Sequence, residues 1–129
     1  MKIDFTSIMV DDQDMAEKYY TEKLGFIIKF DVLVGEFRWI TLVSPEAPEG
    51  VQLVLEPNNN PVGKAFQQGI YEQGIPATAF TVDDVQQEYD RLTALGVRFT
   101  TEPKTEEWGC MAVLDDTVGN LIQIQQVAV

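Results

Sequence analysis

One local pattern is used twice in this chain, and that repetition limits the folds open to it. The run "KIDFTSIMV" (2–10) alternates as a strand does and ends at Asp11-Asp12; "PATAFTV" (76–82) alternates likewise and ends at Asp83-Asp84. In the first run Phe5, Ser7 and Met9 share one face, and Thr6, Ile8 and Val10 the other. Each aspartate pair stands where a helix needs a side chain to accept its free first-turn N–H groups. After the first pair, Met15, Ala16, Tyr19, Tyr20 and Leu24 recur near helical spacing before Gly25; after the second, Val85, Tyr89, Leu92 and Leu95 do so before Gly96. Three strand candidates follow each helix: 26–34, 36–44 and 51–57, then "VRFTTEP", "WGCMAVLDD" and "NLIQIQQVAV". Gly35, "PEAPEG" and "DDTVGN" supply turns. The chain is therefore read as one α+β domain, 1–129, of two tandem βαβββ modules: module 1 about 1–56, a connecting arm about 57–73, module 2 about 74–129.

In the arm, Asn and Pro break the strand, and Val62, Phe66, Ile70 and Tyr71 recur about every four residues. This predicts a short helix that either packs on a partner or covers one end of a sheet. One module has little interior of its own, so two modules, or four in a dimer, are expected to join sheets around a cleft.

Composition removes several functions. Nine Lys plus Arg against twenty-one Asp plus Glu give a net charge of -12, a poor match to nucleic acid or an anionic membrane, both of which call for clustered cations. The acid serves solubility or attracts a cationic ligand. No apolar run reaches the length of a membrane span and the N-terminus is broken by charge, so a soluble, cytoplasmic protein is expected. The single cysteine, Cys110, reads as a small hydrophobe.

Histidine is absent. Ser-His-Asp and Cys-His nucleophile systems and His-ligated zinc or iron sites are therefore excluded, and a general base would have to be a carboxylate, lysine, tyrosine or thiol. No phosphate-binding glycine motif is present.

The segments "KYYTEKLGF", "AFTVDD", "LTALGV" and "DDTVGNLIQI", in that order and spacing, resemble the vicinal oxygen chelate superfamily, which includes glyoxalase I, bleomycin-resistance proteins, fosfomycin-resistance enzymes and extradiol dioxygenases. The resemblance implies paired βαβββ modules forming open cupped mixed sheets, the glyoxalase/bleomycin-resistance fold, in a homodimer. It also implies a divalent metal, and here the chain departs from the pattern. The first-strand ligand falls on Phe5, where relatives read "DHV" and this chain reads "DFT". The second-module histidine falls on Ala77, and the terminal glutamate on Gln123. The remaining ligand lies in "VQLVLEP", where Gln52, Val54 and Glu56 share a face and the register stays open. Phe and Ala cannot ligate a metal and Gln is a weak neutral donor, so no metal and no cofactor is expected.

In place of the metal site, Phe5, Ser7, Gln52, Glu56, Ala77 and Gln123 are expected to line a small-molecule pocket, with Trp39 and Trp108 at matched places in the two modules stacking on a flat ligand. The alternative is that these apolar residues pack as core. By resemblance to the bleomycin-resistance branch, the chain is read as sequestering a cationic or aromatic organic compound, with Glu56, Glu106 or Glu107 pairing its charge. The rival reading is a lyase, isomerase or dioxygenase in which Glu56, desolvated in a cleft, abstracts a proton and Gln123 steadies an oxyanion, or in which Gln52, Glu56 and Gln123 hold an oxygen-ligated metal.

Overall fold

The computed structural model describes residues 1–128 and contains eight strands and three helices among them. The expected order is observed. β1 (Phe5–Val10), α1 (Gln13–Glu22), β2 (Ile27–Val34), β3 (Phe37–Val43) and β4 (Gln52–Pro57) form the first module; α2 (Pro61–Glu72) follows; β5 (Thr78–Thr81), α3 (Val85–Ala94), β6 (Phe99–Glu106), β7 (Gly109–Asp115) and β8 (Leu121–Val127) form the second. The chain divides into two units, with the boundary between Phe66 and Gln67 inside α2.

Each unit holds a four-stranded mixed sheet, ordered β1-β4-β3-β2 in the first and β5-β8-β7-β6 in the second. β1 runs parallel to β4 and β5 to β8; the remaining pairs are antiparallel. A parallel pair needs a crossover, which accounts for the position of the helix within each βαβββ unit.

Both helices start where the aspartates put them. The Asp12 carboxylate accepts from the Met15 N–H at 2.9 Å and Asp84 from the Gln87 N–H at 3.0 Å, each satisfying a first-turn donor. Gly25 and Gly96 take the left-handed conformation after the helices, at φ 86° and 87°. In the first unit α1 buries Ala16, Tyr19 and Tyr20, and the sheet contributes Ile8, Val10, Ile40, Leu42, Leu53 and Leu55 to the core. In the second, Val85 and Leu92 of α3 are buried, as are Ala112, Leu114, Ile122 and Ile124 of the sheet.

The helical stripes are narrower than the sequence suggests. Met15 and Leu95 are exposed, Leu95 lying past the end of α3 as its C-cap. In α2, Val62 and Phe66 are 79% and 64% exposed, and the residue α2 buries is Gln67, whose amide donates to the Val118 carbonyl and to Asn120 Oδ1. No helix of the described residues is long and apolar enough to cross a membrane.

Candidate functional site

Strand alternation leaves each sheet with one face turned away from its helix. In the first unit the register fixes that face: Phe5 stands beside Gln52, Ser7 beside Val54 and Met9 beside Glu56, while Thr41 stands beside Val54 on the other flank of β4. Trp39 is two residues from Thr41 and shares its face. The strand pairing puts Phe5, Ser7, Trp39, Gln52 and Glu56 on one surface.

Two side-chain pairs order this surface. The Phe5 and Trp39 rings meet edge to face, with centroids 5.5 Å apart. Because β4 lies between β1 and β3, the two rings bridge across it. They remain 48% and 37% exposed, so apolar aromatic surface faces outward. Beside them, the Ser7 hydroxyl donates to Glu56 Oε1 at 3.3 Å. Gln52 is already engaged, its Oε1 accepting from the Thr41 hydroxyl at 2.8 Å; Thr41 is fully buried and was missed by sequence reading, since a lone threonine in an apolar strand carries no signal.

Behind this surface, on the α1 face, Arg38 binds Asp14 at 2.6 Å and Glu17 and Asp31 at 2.7 Å. The Arg38 guanidinium holds the Asp31 carboxyl below its ordinary value, and the three carboxylates push Arg38 further up. The cluster ties α1 to the β2–β3 hairpin and leaves Arg38 on the opposite face from Trp39 and Glu56.

In the second unit, Ala77 precedes β5 and its N–H donates to the Leu121 carbonyl at 2.8 Å. Gln123 stands beside Ala79 on one flank and Val113 on the other, and its Nε2 donates to Gln125 Oε1 at 2.9 Å. Trp108 corrects an expectation. It lies in the tight turn between β6 and β7, where its carbonyl accepts from Ala128, and not within a strand. Counting both hairpins from their turns, the counterpart of Trp39 is Met111 and that of Trp108 is Glu36, so the two tryptophans are not at matched positions. Glu106 pairs with Lys104 at 3.3 Å. Among the described residues, no three His, Cys, Asp or Glu side chains gather as a metal-binding group.

Two four-stranded mixed sheets from tandem βαβββ modules, each with a face its own helix leaves bare, define a paired-module α+β protein. A family model described as the Glyoxalase/Bleomycin resistance protein/Dioxygenase superfamily matches residues 2–124, and the chain belongs to that superfamily. It is 59% identical over 126 residues to "Uncharacterized protein YurT" of Bacillus subtilis (strain 168), covering 98% of this chain and 99% of that protein. Among solved structures it is similar to UcmS2, with a TM-score of 0.83 at 33% identity over 97% of each chain. It is also similar to TnmS3, described as an antibiotic binding protein from Streptomyces sp. CB03234, with a TM-score of 0.79 at 26% identity over 99% of this chain and 97% of that one.

Proposed function

We propose that this protein binds a small organic compound, aromatic and cationic, on the bare face of its first sheet, and that it does so without the superfamily's His-containing metal. The Phe5–Trp39 pair carries this reading: the position that the family resemblance gives to a metal ligand holds a ring, engaged edge to face with a half-exposed indole. Phe5 and Ala77 have no donor atom and Gln123 offers only a neutral amide oxygen, so these residues do not suit a divalent transition metal. Aromatic surface beside the Glu56 carboxylate suits a flat cation. The description of TnmS3 as antibiotic binding supports the ligand class. Ala77, Gln123 and Trp108 lie in the second unit, and the proposed ligand surface is built from the first unit's residues alone.

Thermal-shift screening against planar aromatic cations and their neutral analogues tests the reading. A ligand at a hundred times its Kd stabilises by about 2.7 kcal/mol, so a binder is visible. Stoichiometric transition metal retained through dialysis would overturn it, as would stabilisation by neither ligand class. Turnover of a ligand, lost in Glu56→Gln, would favour the lyase, isomerase or dioxygenase reading, for which the Ser7–Glu56 contact supplies the motive.

The proposal extends to a cytoplasmic homodimer. Val62 and Phe66 on α2, and Phe30, Val32 and Val34 on β2, are exposed apolar groups of the kind that subunit contacts cover. Light scattering on the purified protein tests this, and a monomer at micromolar concentration would overturn it.

A further inference from the structure

The two modules share a topology but not a ladder. In the second, β7 and β8 pair along seven residues, from Gly109↔Val127 to Asp115↔Leu121; in the first, β3 and β4 pair only at Thr41↔Val54 and Leu42↔Leu53. Continued in the same register, the short ladder would set Ile40 opposite Leu55, Trp39 opposite Glu56 and Arg38 opposite Pro57. The residues explain why it stops. Pro57 has no N–H to offer the Arg38 carbonyl. The backbone groups left over are taken by one side chain: the Gln13 amide donates to the Arg38 carbonyl at 2.7 Å and the Leu55 carbonyl at 2.8 Å, and accepts from the Arg38 N–H at 3.0 Å. Three buried or half-buried polar groups are thus satisfied without the strands meeting.

The second module acts as an internal control. The residue after the capping aspartate is Gln13 in the first and Val85, fully buried, in the second. At the place of Pro57 stands Gln126, and at the place of Arg38 stands Cys110; there the ladder runs on through Met111↔Gln125 and Cys110↔Gln126. Both departures, Gln13 and Pro57, occur in the module that carries the aromatic pair.

On the face away from α1, the first unpaired positions that share the side of Phe5 are Trp39 and Glu56. In a closed ladder these side chains would stand about 4.5–5.5 Å apart at Cβ, leaving no room for a third group. The unpaired stretch is flanked by an indole on one strand, braced by Phe5, and a carboxylate on the other, held by Ser7.

We infer that the strands part between Trp39 and Glu56, that this opening is the subsite for the flat, charged part of the ligand, and that Gln13 and Pro57 are positioning residues that keep it open. The inference rests on the reading given under Proposed function. Ethidium, a planar aromatic cation, and phenanthridine, its neutral core, serve as probes, followed by Trp39 fluorescence in a Trp108→Phe background. The unaltered site is expected to take up ethidium more tightly than phenanthridine. In Gln13→Val/Pro57→Gln, which copies the second module, an Hα–Hα NOE between Trp39 and Glu56 should appear and ethidium affinity should fall by about tenfold or more. A ladder that closes by this NOE while ethidium binding stays within about twofold overturns the inference and leaves the proposed function standing. If the unaltered protein binds neither probe, that function fails and the inference with it. Should the double variant not fold, ethidium-induced NMR shift changes in the unaltered protein decide: changes centred on Trp39, Glu56 and the Gln13 amide uphold the inference, and changes that miss them overturn it.

Discussion

The ring of Phe5 meets the indole of Trp39 edge to face, 5.5 Å between centroids, across the strand that separates them. β3 and β4 share only two ladder positions, so this contact adds a side-chain tie from β3, over β4, to the outer strand β1.

A double-mutant cycle measures that tie. Phe5→Leu, Trp39→Leu and the combined variant, compared by urea unfolding, are expected to show a coupling of about 0.5–1.5 kcal/mol. Additive losses would mean the rings only touch.

The Arg38 cluster sets a pH dependence. Arg38→Met is expected to cost about 1–3 kcal/mol at pH 7, at the lower end if solvent weakens the exposed Asp14 contact. The folded-state value of Asp31 lies below its ordinary 3.8, so its share of stability is present above that value and is lost as pH falls through the depressed one. The difference between the parent and the variant should therefore be constant near neutrality and shrink only below about pH 4. A difference that fades between pH 5 and 7 would assign the effect to another group.

Tyr71 works with the opposite sign. Its hydroxyl donates to Asp115 Oδ2 at 2.5 Å, and this hydrogen bond, more than burial, raises the phenol above its ordinary 10.0. Its stabilisation is present below that value and is lost as pH rises through the raised one. Tyr71→Phe should cost about 0.5–1.5 kcal/mol at pH 7, with Asp115 still held by Arg98 and the Thr117 N–H, and the cost should vanish in strong alkali. Chemical denaturation at pH 7 and pH 11 checks both halves.

Two glycines should respond unequally to alanine. At Gly109, φ 151°, a Cβ would collide with the backbone carbonyl of Gln126; at Gly119, φ 106°, it would come 2.5 Å from Gln67 Nε2, a side-chain atom able to move. Backbone strain of about 1–3 kcal/mol applies to both, and Gly109→Ala is expected to lose more because β8 itself must shift. Equal melting temperatures for the two variants would contradict this.

The repeated modules were legible because each rests on strong local signals. The capping aspartates, the left-handed glycines and the alternating runs all act within a few residues of themselves. Pairing is different. The register of Gln52 and Glu56 depends on β1 reaching β4 across about fifty positions of chain, and only the fold supplies that. An aromatic next to Gly109 reads as the start of a strand, whereas Glu107 and Trp108 form the turn and β7 begins at Gly109. Gln13 passed unnoticed for a related reason: its partners, Arg38 and Leu55, are main-chain groups distant in sequence, and a glutamine at a helix start looks like surface.

Strand β2 has a further consequence for handling the molecule. It is the outer strand of its sheet, with one main-chain edge unmatched within the sheet, and Ile27, Ile28, Phe30, Val32, Leu33 and Val34 are all exposed along it. Such a margin invites self-association, and the charge of -12 is what opposes the approach of like chains. That repulsion reaches about 10 Å at 0.1 M salt and about 3 Å at 1 M. Colloidal behaviour should thus turn on ionic strength: concentrated brine strips away the mutual repulsion and lets sticky borders find each other, while dilute buffer keeps the particles dispersed.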